Sequence, residues 1–122
     1  MIVDSKRKIV IMQSRKLEGD FVLDVYENDG QFVRSFGEGL STSATDLDLV
    51  LASDDHVIVL DEGCYVHMFS EHGDHLSKFK VSTYRLFMRT IAFHHSSKHV
   101  VFAHASLDYV YLQRYTKDGE LA

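Results

Sequence analysis

Apolar residues in this chain fall into short runs separated by polar or glycine-bearing breaks, and residues 46–81 show the pattern most completely. Four runs lie there, at 46–51, 57–60, 65–70 and 76–81, rich in Val, Leu, Phe and Tyr. The breaks are Ser53-Asp54-Asp55, Asp61-Glu62-Gly63 and His72-Gly73. Runs of that length with such boundaries predict strands, here a four-stranded antiparallel meander.

The same unit recurs on either side. Gly follows a turn residue at Asp29-Gly30, His72-Gly73 and Asp118-Gly119, at intervals of 43 and 46 residues. A second marker repeats independently: Ser5, Ser53 and Ser96 each stand three positions before Lys8, His56 and His99, and a β-branched residue follows each time. Those serines are 48 and 43 residues apart. Two unrelated turn signals with one period define a three-fold repeat.

Each repeat predicts the same order of strands. First strands are expected at 1–3, 46–51 and 88–93, and second strands at 8–12, 57–60 and 99–103. Third strands follow at 21–27, 65–70 and 108–115, and fourth strands at 31–36, 75–81 and, cut short, 120–122. Residues 14–20 read as an insertion between the second and third strands of the first copy. Four strands per period of this length predict an all-β chain of β-propeller blades, three per chain, spanning 1–40, 41–82 and 83–122. Phe21-Val22-Leu23-Asp24-Val25-Tyr26 is apolar at both odd and even positions, so both faces of that strand expect cover, as in a blade between neighbours.

Particular phrases carry a family resemblance. Val25-Tyr26-Glu27-Asn28-Asp29-Gly30-Gln31-Phe32-Val33-Arg34-Ser35-Phe36-Gly37 resembles the ending of an NHL repeat, and Ala52-Ser53-Asp54-Asp55-His56-Val57-Ile58-Val59-Leu60-Asp61 resembles its middle. The third copy departs, with His94-His95-Ser96-Ser97-Lys98 in place of the acidic turn and His104 where the family has Asp. The resemblance implies a propeller, commonly six-bladed, that serves as a non-enzymatic protein-binding platform, often at the end of tripartite-motif proteins. It also implies two alternatives: RNA binding on a basic face, and a zinc-dependent amidating lyase with its metal in the central channel.

Three blades do not close a ring, so each end presents a sheet's worth of apolar side chains. Apolar patches above a few hundred Å² mark interfaces, and burying them contributes about 25 cal/mol per Å² before association costs. Either two copies join as a homodimeric six-bladed ring, or the chain is a piece of a longer propeller that assembles with itself. The paired ring is the expectation, with an unknown protein as further partner. Ile2, Val3 and Leu121 are the expected self-assembly edges.

Charge and composition narrow the function. The formal net charge of −5 argues against holding a phosphate backbone as the main task. Lys6-Arg7-Lys8 is the only basic cluster and reads as a solvated turn. Cys64 is the sole cysteine, so no intrachain disulfide forms. No apolar run suits a signal peptide or membrane span, and the expectation is a cytoplasmic protein without membrane contact.

Candidate chemistry is sparse. In a propeller the first strands line the central channel, so Asp46, Asp48 and Arg89 are the candidate channel-rim binding residues. Tyr84, Phe87 and Tyr109 are candidate aromatic anchors. Of the eight histidines, His72 and His75 flank a hairpin turn and are expected to face solvent, and His56 and His99 hold equivalent positions. Only His94, His95 and His104 could gather near one edge. Zinc needs three or four converging ligands, and no cofactor or metal is expected. No G-x-S-x-G elbow occurs, and Gly37-Glu38-Gly39 lacks the rest of a phosphate-cradling loop. No enzymatic activity is expected.

Overall fold

Asn28-Asp29-Gly30, Glu71-His72-Gly73 and Lys117-Asp118-Gly119 form three hairpin turns of one geometry. The computed structural model describes residues 1–14, 21–40, 48–61, 65–81, 88–105 and 108–122. In each turn the glycine N–H donates 3.0 Å to the carbonyl three residues back: Glu27, Ser70 and Thr116. The glycines have φ of 93°, 93° and 89°, a backbone region that a Cβ disfavours. The Ser turns repeat too. Their third residues, Arg7, Asp55 and Lys98, all adopt left-handed φ, at 64°, 58° and 59°.

These turns join strands into three antiparallel meanders. The first sheet is β1 (Ile2–Val3), β2 (Ile9–Ser14), β3 (Phe21–Tyr26) and β4 (Phe32–Leu40), in chain order. The second is β5 (Asp48–Leu51), β6 (Val57–Leu60), β7 (Tyr65–Phe69) and β8 (His75–Lys80). The third holds β9 (Met88–His94), β10 (His99–Ala105) and β11 (Val110–Tyr115). Its expected fourth strand is reduced to one bridge, Tyr115 to Leu121. Among the described residues none is helical, so the chain is all-β.

The second sheet lies between the other two. Val10, Leu23, Val25 and Phe36 of the first sheet pack on Leu49, Val57, Val59 and Phe69 of the second. On its opposite face, Ile58, Leu60, Val66 and Met68 meet Ile91, Phe93, Val100, Phe102 and Tyr115 of the third. All four residues of β6 are consequently buried. That explains the continuous apolar run Val57-Ile58-Val59-Leu60: alternation is lost when both faces of a strand are covered. Val22, Leu23 and Val25 of β3 are buried in the same way. The first strands run side by side, β1 next to β5 and β5 next to β9.

Register makes the repeat quantitative. Cross-strand partners form the row Val3-Ile9-Tyr26-Phe32 across the first sheet. The corresponding rows are Leu51-Val57-Phe69-His75 in the second and Phe93-Val100-Tyr115-Leu121 in the third. Leu51, Val57 and Phe69 pack towards the first sheet and Phe93, Val100 and Tyr115 towards the second, whereas Val3 and Phe32 of the first are 54% and 56% exposed.

Candidate functional site

The contacts between sheets are built from equivalent residues. Phe36 and Phe79 hold the same place on the fourth strands. Each lies over the turn glycine of the next sheet. A Cβ on Gly73 would come within 2.8 Å of Phe36 Cβ, and one on Gly119 within 2.6 Å of Phe79 Cβ. Beside each glycine an aromatic pair forms, Phe36 with Phe69 at 5.2 Å and Phe79 with Tyr115 at 5.6 Å between centroids. Glycine is required twice over at Gly73 and Gly119, for φ and for space. Gly30 has nothing within 4 Å.

Polar ties run along the turn ends of both seams. Lys6 Nζ contacts Glu71 at 2.8 Å between the first and second sheets. Lys117 Nζ contacts Asp54 at 3.3 Å between the second and third. Lys6 and Asp54 are equivalent positions, as are Glu71 and Lys117, so the two seams use the same pair with signs reversed. The hydrogen bond and charge of Lys6 hold the Glu71 carboxyl below its ordinary range. Asp55 adds a tie in the first seam. It accepts from the Ser5 amide at 2.9 Å and from the Ser5 hydroxyl. Burial pushes the Asp55 carboxyl up, but those two donors and the Lys6 charge outweigh it, and the net shift is downward.

The channel-rim candidates separate. Asp48 lies at the start of β5, and its carboxylate accepts from the Thr90 hydroxyl and from the Ile91 amide at 2.9 Å. Its other oxygen accepts from the Leu49 amide at 2.9 Å. Thr90 is the residue equivalent to Asp48, so the carboxylate ties neighbouring first strands together. Arg89 lies in β9 opposite His104. Asp46 lies outside the described residues, as do Cys64, Tyr84 and Phe87. Tyr109 is 61% exposed and its ring sits 5.7 Å from Tyr111.

Of the expected edge residues, Ile2 is half-buried against the first core cluster. Val3 and Leu121 are exposed.

The histidines distribute otherwise than their spacing suggests. His94 pairs with His99 and His104 with Arg89, five strand positions apart, so about 17 Å at ~3.3 Å per residue. The group His94, His95 and His104 is therefore not gathered at one edge. His94 Nδ1 instead meets Ser97 Oγ at 2.7 Å, and His104 stacks between Phe102 and Tyr111. His72 faces solvent as expected. His75 is exposed as expected too, and its Nε2 lies 3.2 Å from His67 Nδ1.

His67 joins a chain that sequence reasoning missed. Its Nε2 lies 2.8 Å from Asp61 Oδ2. With Asp61 ionised, His67 Nε2–H donates to it and His75 Nε2–H donates to His67 Nδ1. The Tyr65 amide donates to the other Asp61 oxygen at 3.0 Å. Burial, then His67 and Lys78, holds the His75 imidazole below its ordinary value. In a nucleophile–His–Asp arrangement a hydroxyl or thiol would occupy the Nδ1 side of His67. His75 occupies it here, so the chain of contacts orients the two rings. The available signal was the hairpin itself, which returns His67 beside Asp61. Among the described residues no group of three or more His, Cys, Asp or Glu is placed to hold a metal ion.

Comparison with models of protein families and with curated proteins finds no match. Among the described residues no helix is long and apolar enough to cross a membrane.

Proposed function

We propose that the three sheets are blades of an NHL-like β-propeller and that the chain is a non-enzymatic, cytoplasmic protein-interaction scaffold. The observation that carries this reading is the second sheet. It is buried on both faces, with its first strand between the first strands of its neighbours. Stacked meanders with adjacent innermost strands are how a propeller is put together. Ser5–Asp55, Lys6–Glu71, Asp48–Thr90 and Lys117–Asp54 tie neighbouring sheets together, which leaves the sheet ends and loops as the contact surface. The net charge of −5 favours a protein partner over RNA.

The experiment is affinity capture on immobilised chain, wild type against an Asp46→Ala/Arg89→Ala double variant. Asp48 is left alone because its carboxylate holds the Ile91 amide. Proteins retained by wild type and lost from the double variant are the expected result. Identical captures overturn the rim as contact surface. A salt-sensitive mobility shift with single-stranded RNA, or stoichiometric zinc in the purified chain, overturns the protein-scaffold reading in favour of the respective alternative.

A further inference from the structure

We propose that the outer edge of β11 docks the β11 of a second copy of this chain, the two strands pairing antiparallel about a two-fold axis at Tyr111. The proposal goes beyond the scaffold reading and does not depend on it, since it needs only the third sheet.

β11 is the outermost strand of that sheet, whereas β4 and β8 cover the same place in the other two. The C-terminal segment reaches β11 only at its far end. There Leu121 bridges Tyr115, and the Ala122 N–H donates to the Arg114 carbonyl at 2.8 Å. Among the described residues nothing pairs with the outer edge of Val110-Tyr111-Leu112. Val110 and Leu112 are 76% and 71% exposed.

The backbone of that stretch is set for pairing. The Thr116 N–H donates outward to the Glu120 carbonyl, and the Arg114 carbonyl accepts from the same side. Alternation along the strand therefore turns the peptide groups of Leu112 and Val110 to the edge as well. The ladder to β10 runs from Val100–Tyr115 to Ala105–Val110 without a shift. By contrast, β4 and β8 each meet their neighbour through a register shift, and β8 carries exposed Lys78 and Lys80. Bulges and lysines blunt an edge against pairing. Val110-Tyr111-Leu112-Gln113 has neither.

The residue order selects a second copy as the occupant. Asp108-Tyr109-Val110-Tyr111-Leu112-Gln113-Arg114 is self-complementary when run against itself antiparallel. Val110 then lies opposite the partner's Leu112, an apolar pair on one face. Both residues turn their peptide groups outward, so each such pair exchanges two N–H···O=C bonds. Tyr111 meets the partner's Tyr111, an aromatic cross-strand pair. Asp108 and Arg114 are both exposed. Antiparallel alignment carries each Asp108 towards the partner's Arg114, where parallel alignment would set like charges together. The Leu121–Ala122 segment holds the edge at Arg114, so the ladder ends at Gln113 and Asp108 leaves it through the bend before β11. The contact uses the same edge on both copies and closes as a pair.

Sedimentation equilibrium of the whole chain over a concentration series tests this. Wild type should rise from the 14.0 kDa chain mass towards twice that value. Val110→Lys and Leu112→Lys should stay at single-chain mass with unchanged far-UV circular dichroism, because both side chains are exposed. Leu112→Pro removes an outward N–H and leaves the β10 ladder its bonds, and it should behave like the lysine variants. Wild type at single-chain mass throughout, species beyond two chains, or lysine variants that still pair each overturn the proposal. Register is read separately by cross-linking in a Cys64→Ser background. Tyr111→Cys sets two Cα atoms about 4.5 Å apart across the axis, within disulfide reach, so oxidation should give a covalent pair. Lys80→Cys on the β8 edge should not. Equal cross-linking at both positions, or none at Tyr111→Cys, overturns the β11 edge.

Discussion

Asp48 hydrogen-bonds Thr90, the residue that holds its own position one sheet further on, and the same carboxylate caps the neighbouring Ile91 amide. The bond converts a repeated position into a link between repeats. Asp48→Ala leaves a part-buried N–H without its acceptor, which costs about 1–3 kcal/mol. Asp48→Asn keeps an acceptor oxygen and should recover part of that loss. Urea unfolding of the three proteins measures both, with equal midpoints counting against the link.

The glycine turns make a graded prediction. Gly30→Ala places a Cβ in open space at φ 93°, so it costs the left-handed strain alone, about 1–2 kcal/mol. Gly73→Ala and Gly119→Ala add a clash with the Cβ of Phe36 or Phe79, and overpacking of that kind contributes a further ~1–3 kcal/mol. Thermal unfolding should order the variants with Gly30→Ala least affected. Phe36→Leu should not rescue Gly73→Ala, because leucine keeps the Cβ and Cγ that the new methyl meets at 2.8 and 3.0 Å.

Stability should fall on mild acidification. His75 titrates below the ordinary histidine value of 6.5 when folded, so the unfolded chain binds more protons between the two values. A depressed group contributes stability that is present above 6.5 and lost as pH falls through the folded value. Asp55 acts in the same sense at lower pH, its contribution present above the ordinary 3.8 and lost below it. His75→Phe introduces the residue that stands at the equivalent Phe32. It should flatten the dependence of the urea midpoint between pH 7 and 5 and leave the acid limb in place.

The reversed ion pairs allow a charge exchange. Lys6→Glu sets like charges against each other at the first seam and should lower the melting temperature slightly at low salt. Adding Glu71→Lys recreates the polarity of Asp54–Lys117 and should recover it. These groups are exposed, so the differences should shrink at 1 M salt, where the screening length is about 3 Å. A persistent defect in the double variant would show that the Lys6 stem, not its charge, matters.

Much of this architecture was legible in the residues taken singly. Antiparallel neighbours in a meander are neighbours in sequence, so the strand runs and their turns are local information. Gly30, Gly73 and Gly119 announced three hairpins because a tight turn with positive φ selects glycine. Candidate residues were less legible. Asp48 was placed correctly on a first strand, but its bonds to Thr90 and Ile91 span more than 40 residues. Asp61 and His67 lie close in sequence, yet their pairing depended on which faces of the hairpin they took.

The amino-acid order by itself determined the period, the turn chemistry and the all-β class, because each is set by a few adjacent residues and their φ preferences. Only the tertiary structure decided that Ser5 meets Asp55, that Lys6 meets Glu71, and that Phe36 covers Gly73. Stacking one sheet on another is a non-local event, and nothing in a strand's pattern specifies which side chain it will meet across the seam.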